Sequence, residues 1–261
     1  MKLEKNSIYL RSEQLKDFKA FMESEMHTES HLYINNDLVF KIFKNANDLA
    51  LMKNKEGKID FLMNSKINDF ILPNNKVFID DSFAGYTSAY FNGSQTLDDI
   101  VCLPLDKKIS LLNKVSLALE RIHEQGIVLG DINSKNILFK DNTIKFVDVD
   151  SANINGWPCD NYSLALNNQN IDPFNINTIE SDIYLLNLLV LELVLYYDVA
   201  NMPACDKKTY YNDIRDFNLP NHINNIFLNL YNMVNGDEYS IYPHEYLSDL
   251  YRHYKKRTLS K

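Results

Sequence analysis

The stretch 128–150, VLGDINSKNILFKDNTIKFVDVD, constrains this chain more than any other part of it. Residues 136–140, NILFK, read as a short strand. Asp141-Asn142-Thr143 is turn chemistry, because Asp and Asn tolerate the left-handed region and bond their own backbone. Residues 144–147, IKFV, read as the return strand, since Ile and Val favour a pleated, half-buried surface. Such a hairpin puts Asn136 at one end of the first strand and Asp148 at the matching end of the second. Asp131 precedes Asn136 with D-x-x-x-x-N spacing. Two carboxylates and an amide supply the oxygens that a hard cation such as Mg²⁺ takes, and a positioned carboxylate can also orient a hydroxyl. A hairpin with solvated polar ends is the bland alternative. The Asp–Asn spacing alone is weak; joined to a hairpin and a second Asp it is much more specific.

On these residues the chain resembles the protein-kinase-like superfamily. VLGDINSKNILF is similar to its catalytic loop, and FVDVD to the Asp-Phe-Gly segment that follows. Gly-Asp-x-Asn-x-Lys-Asn, followed by Asp-x-Asp-Ser, is most similar to a divergent bacterial branch of serine/threonine-kinase-like proteins. The Gly-Asp pair is also similar to aminoglycoside and choline kinases. The resemblance implies an α+β bilobal fold filling 1–261 as one domain. Its small β-rich lobe would span about 1–90 and its mainly helical lobe about 91–261. It implies Asp131 as catalytic base, Asn136 and Asp148 as metal ligands, and ATP with Mg²⁺ or Mn²⁺ as cofactors.

Upstream, 31–34 and 38–43 flank Asn35-Asn36-Asp37, a hairpin turn. Lys41 sits inside the second strand, in V-F-K-I-F. Taken alone it reads as an edge-strand lysine. The resemblance makes it the lysine that pairs with the α/β-phosphates. Leu49, Met52, Ile59 and Met63 recur at helical spacing, the mark of a buried stripe. Glu56 falls on that stripe, and a carboxylate on an apolar face is costly unless paired. Lys41 is its expected partner and Asp60 the fallback. The alternative is a helix rotated from this reading, with Glu56 at the surface. Residues 76–79 and 84–91 read as strands, and helical structure begins over 95–101. Tyr90 and Phe91 then fall at a hinge and read as packing.

Several features depart from the family pattern. No glycine precedes Gly57, so a glycine-rich phosphate loop is absent. Its turn would be 26–30, MHTES, where Thr28 and Ser30 hydroxyls could donate to phosphate but Glu29 disfavours it. Gly130 stands where regulated protein kinases often carry Arg, which implies no activation-loop phosphoswitch of that type. Asn133 replaces a lysine, and Val149 and Asp150 replace Phe and Gly. No Ala-Pro-Glu follows. The segment 151–178, with Trp157, is Asn-rich and irregular.

The remaining chain reads as mostly helical. Residues 105–125 carry an apolar stripe and end at Gly126, a good C-terminal cap; His123 near that end reads as packing. Residues 183–197 read as a helix buried on most faces, with Asp182 or Ser181 as its cap. By resemblance, Asp182 would tie the catalytic-loop backbone to that helix. Residues 223–234 and 243–256 also read as helices, and the basic run 252–257 complements a helix C-terminus.

Composition narrows the partners. With 45% hydrophobic residues the chain can bury a core. A formal net charge of −8 argues against broad nucleic-acid affinity. Cys102, Cys159 and Cys205 are scattered and suggest neither zinc nor a disulfide framework. The N-terminus lacks the apolar core of a signal peptide, and no apolar stretch is long enough for a membrane span. A cytoplasmic location is therefore expected. The leading expectation is an ATP- and Mg²⁺-dependent serine/threonine protein kinase acting on a protein hydroxyl. A nucleotide-binding pseudokinase or interaction module, and a small-molecule kinase, remain open beside it.

Overall fold

The computed structural model describes residues 6–20, 29–44, 48–160, 177–199, 206–231 and 241–259. The chain divides into two compact units. One is Met1–Ser94 with Asp148–Asp150; the other is Gln95–Val147 with Ser151–Lys261. The protein is of the α+β class, with a six-stranded sheet near the N-terminus and helices after it.

In the first unit the strands are β1 (Ser7–Leu10), β2 (Lys19–Ala20), β3 (Ser30–Asn35), β4 (Leu38–Phe43), β5 (Pro73–Ile79) and β6 (Ser82–Ala89). They lie in the order β1-β5-β6-β4-β3-β2. Among these described strands the β1–β5 pair is parallel and the other pairs are antiparallel. Polar residues that tolerate the left-handed region make the hairpin turns. Asn36 (φ 54°) links β3 to β4, and Asp80 and Asp81 (φ 48° and 65°) link β5 to β6. The return strand was expected from 84 but begins two residues earlier, because this tight Asp-Asp turn pairs Ile79 directly with Ser82.

Strand alternation gives β4 two different faces. Phe40 and Ile42 join Val77 and Ala84 in one buried cluster, onto which Ile8, Leu10 and Phe18 pack. Lys41 and Phe43 point to the opposite face, where Lys41 lies across from Tyr86 of β6. Helix α1 (Leu49–Asn64) follows, capped by the Asp48 side chain on the amides of Ala50 and Leu51. Its buried residues are Met52, Lys55, Lys58, Ile59 and Leu62. Leu49 is 81% exposed, so the helix is rotated from the expected stripe and Lys55 takes the inward position. Leu49 occupies the first helical turn.

In the second unit β7 (Gln95–Thr96), β8 (Ile137–Lys140) and β9 (Thr143–Phe146) form a small antiparallel sheet. The helical structure expected to begin over 95–101 is a 3-10 helix, Leu97–Cys102, preceded by strand β7. Helix α2 (Leu105–His123) ends two residues before the expected limit, and Gly126 follows at φ 72°. Helix α3 (Ile179–Leu195) is buried along almost its whole length. It starts four residues earlier than expected. Thr178, rather than Asp182 or Ser181, caps it by accepting from the Ser181 amide. Both rival candidates then fall within the first turn.

At the other end of α3, Tyr196 adopts a left-handed conformation (φ 58°). There the buried Lys108 donates to the Leu193 carbonyl at 3.1 Å and the Tyr196 hydroxyl at 2.6 Å. A cation at a helix C-terminus offsets the partial negative charge of the last carbonyls. Helices α4 (Lys207–Asp216), α5 (Asn221–Leu230) and α6 (Leu247–Leu259) complete the unit. The expected start of the last helix at Pro243 is a separate 3-10 turn, Pro243–Glu245. Among the described residues no helix is long and apolar enough to cross a membrane. Residues 26–28 of the expected phosphate turn, and Cys205, lie outside the described residues.

Gly85 holds β6 close to β4. A Cβ at this position would run into the carbonyl oxygen of Lys41. Gly85→Ala is therefore expected to lower stability by about 1–3 kcal/mol, the usual cost of overpacking. Urea unfolding with an unchanged m-value would measure it.

Candidate functional site

The first unit contains a buried chain of alternating charges. Asp150 is fully buried and stands at its centre. It accepts hydrogen bonds from Lys41 Nζ at 2.7 Å, Lys55 Nζ at 2.9 Å and the Tyr86 hydroxyl at 2.8 Å. Lys41 also pairs with Asp148, 107 positions along the chain. Lys55 reaches Glu29 at 3.5 Å. The rings of Phe43 and Tyr86 flank the lysines, with Lys55 Nζ 5.1 Å from the Phe43 centroid. These are cation–π distances.

Burying one carboxylate costs several kcal/mol in a relaxed protein. A single ion pair at 2.7 Å recovers roughly 6 kcal/mol at an effective dielectric near 20. One lysine would therefore leave little margin once its own desolvation is counted. Two lysines and a phenol occupy three of the carboxylate's roughly four acceptor positions and offset the cost of its burial. The titrations follow. Burial opposes the charged Asp150, but Lys41 and Lys55 outweigh it and hold its carboxyl well below the usual range. Burial likewise opposes the Lys41 ammonium, and Asp148 and Asp150 together hold it above its ordinary value. Burial and the charges of Asp150 and Asp148 push the Tyr86 phenol well up, so it stays a proton donor.

Asp148 differs from Asp150. Crowding by protein and the like charge of Asp150 push its carboxyl up against the pull of Lys41. Its side chain nevertheless keeps 41% exposure, so water moderates that rise. Its backbone is left-handed, at φ 63°, a conformation few non-glycine residues adopt.

Glu56 does not meet Lys41. It pairs with Lys76 of β5 at 3.0 Å, and Lys76 also takes Asp60 at 3.0 Å. The expected Lys41–Glu56 pair is thus corrected. The rotation of α1 turns Lys55 inward and leaves Glu56 half-buried beside β5, so Asp148 and Asp150 supply the carboxylates for Lys41. Asp60, the fallback, is likewise on Lys76.

The second unit holds Asp131 and Asn136. Asn136 Nδ2 donates to Asp131 Oδ2 at 3.1 Å, as does Asn133 Nδ2 at the same distance. Asn133 also caps the 3-10 turn Ser134–Asn136, accepting from the amides of Lys135 and Asn136. It therefore fixes both Asp131 and the start of the turn. Nitrogen donation by the Asn136 amide group leaves its oxygen to face other donors or a cation. In the hairpin, the Val147 amide bonds the Asn136 carbonyl at 3.0 Å, one residue before Asp148.

Asp182, fully buried, anchors the segment before Asp131. It accepts from the amides of Leu129 at 2.7 Å and Gly130 at 2.8 Å, and lies 3.0 Å from His123 Nε2. His123 Nδ1 meets the Tyr242 hydroxyl at 2.8 Å. Burial and nearby carboxylates push that phenol to about 12, so it stays protonated beside His123. Gly130 is left-handed, at φ 75°, and a Cβ on it would come within 2.5 Å of Asn177 Nδ2 and 2.7 Å of Cys159 Sγ.

Three residues of the first cluster, Lys55, Tyr86 and Asp150, were not among the sequence candidates. The 52-55-59-62 spacing on α1 was the available signal for Lys55, and the period-two repeat of Asp148 and Asp150 was the signal for Asp150. Among the described residues no group of three or more His, Cys, Asp or Glu side chains is arranged to hold a metal ion. No protein-family model matches the sequence, and no curated protein matches it.

Asp150→Ala would leave two buried lysines short of a carboxylate, with an expected loss of about 3–5 kcal/mol in urea unfolding. A pH effect is also expected. Because the folded carboxyl titrates below the unfolded value near 3.9, the unfolded chain binds the extra proton between the two. The stabilisation by Asp150 is then complete above about pH 4 and is lost as pH falls further. Wild type should lose stability between roughly pH 4 and 2 more steeply than Asp150→Asn, measured by urea midpoints at each pH.

Proposed function

We propose that this chain is an ATP- and Mg²⁺-dependent phosphotransferase of the protein-kinase-like fold, acting on serine or threonine hydroxyls of a protein substrate. The observation that carries the reading is the pairing of Lys41, on a central strand of the N-terminal sheet, with Asp148 of the D-V-D segment. A lysine that can grip phosphates and a carboxylate that can hold a metal are thus built into one cluster, although they are 107 positions apart. Asp182 gives independent support. It fixes the amides just before Asp131, as the resemblance requires of the loop that carries a catalytic base.

The donor set fits a hard divalent cation. The part-exposed carboxylate of Asp148 and the amide oxygen of Asn136 are both oxygen ligands. Mg²⁺ characteristically takes one or two such groups and completes its shell with phosphate oxygens and water. When bound, the metal would neutralise charge on the phosphates. Lys41 would hold the α/β-phosphates, and Asp131, oriented by Asn133 and Asn136, would orient the acceptor hydroxyl and take its proton.

A nucleotide-binding module without catalysis is the second reading. The absence of a glycine before Gly57 favours it, as does the engagement of Lys41 by two carboxylates.

Phosphoryl transfer from γ-labelled ATP with Mg²⁺ or Mn²⁺ to a generic protein acceptor separates these readings. Asp131→Ala and Asp148→Ala are each expected to lower the rate by at least about 10²-fold, the low end for loss of a positioned acid–base group. No transfer by wild type, together with ATP-dependent thermal stabilisation, would favour the non-catalytic reading.

A further inference from the structure

We propose that Asp150 is the positioning residue of Lys41, taking the part expected of a helix glutamate, and that Asp148 is the exchangeable partner which leaves Lys41 to meet a metal ion. The inference rests on the phosphotransferase reading.

The two carboxylates on Lys41 are not equivalent. Asp150 is fully buried and receives three donors, from a strand lysine, a helix lysine and a strand tyrosine. Removing it from Lys41 would also disturb its bonds to Lys55 and Tyr86. Asp148 bonds Lys41, with Lys55 attracting it from further off, keeps 41% exposure and sits on a left-handed backbone. The first contact is therefore enclosed among three donors and the second stands open to water. A cation arriving from solvent competes for Asp148 and meets no comparable opening at Asp150.

The polarity of α1 completes the argument. A helix that carried the anchoring glutamate would present a carboxylate to Lys41. This helix presents Lys55, whose charge needs a carboxylate of its own, and its one nearby glutamate, Glu56, is engaged by Lys76. Asp150 lies between the two lysines and serves both. The anchor has thus moved from the helix to the segment that carries the metal ligand, two residues away from it. Lys41 then keeps a fixed carboxylate when Asp148 is drawn off, so its ammonium stays in place for phosphate.

Titration of the full chain with a fluorescent ATP analogue, with and without Mg²⁺, tests the inference without relying on turnover. Asp150→Asn should weaken Mg²⁺-dependent binding by about tenfold or more, the range for removing a group that orients a ligand. Glu56→Gln should bind as wild type does. Tyr86→Phe, which keeps the carboxylate and removes one donor, should weaken binding by at least about threefold. It decides the matter if Asp150→Asn does not fold by circular dichroism. Wild-type affinity in Asp150→Asn, or in Tyr86→Phe where that variant decides, would overturn the inference. So would an equal loss in Glu56→Gln. If wild type binds no nucleotide with or without metal, the phosphotransferase reading fails and takes this inference with it.

Discussion

A single buried carboxylate organises the N-terminal unit. Asp150 draws a strand, a helix and the D-V-D segment to one point, and each supplies a group that would be costly to bury alone. Lys41 can occupy the middle of a sheet because it has carboxylates to meet. Lys55 can occupy the inner face of α1 for the same reason. The sheet face that bears Phe43 and Tyr86 is accordingly aromatic and ionic together, while the opposite face of β4 is wholly apolar. Charge is buried here only as a closed set, in keeping with the steep cost of a half-satisfied network.

The second unit uses the same device with different chemistry. Asp182 sits at the start of a helix that is otherwise nearly all apolar, and it collects two backbone amides and a histidine. Asn187, one turn further on, bonds the carbonyls of Ile183 and Ile241 and receives the Tyr246 hydroxyl. These polar points give the apolar helix a defined rotation and height against its neighbours. A purely hydrophobic helix could slide or turn at much smaller cost. The loop before Asp131 is thereby held by the core of its own unit.

Much of this was legible in the chain. Strands around 31–43, the 137–146 hairpin and the buried helix near 183 follow from period-two and continuous apolar patterns, and the structure has elements at each of these places. The D-x-x-x-x-N spacing singled out Asp131 and Asn136, and the bond between their side chains is known only from the structure. Helix rotation was harder to read. On α1 the apolar residues cluster at the two ends, with none from 53 to 58, and Leu49 and Met63 suggested a stripe that the tertiary contacts override. The inward position belongs to Lys55, which looks like a surface residue until Asp150 is known to face it. Reading Asp150 as the replacement for a flexible glycine hid its second property, a carboxylate two residues from Asp148. The 52-55-59-62 spacing offered Lys55, but a long-range ion pair leaves no periodic trace, so nothing in the chain said which carboxylate it would meet.

Gly130 carries a consequence for how such a chain can change over time. Its backbone is left-handed, and the space beside it is already taken by Asn177 and Cys159. A side chain there would be strained, and both neighbours would have to shift at once. The residue before Asp131 is thus held to glycine by conformation and by packing together.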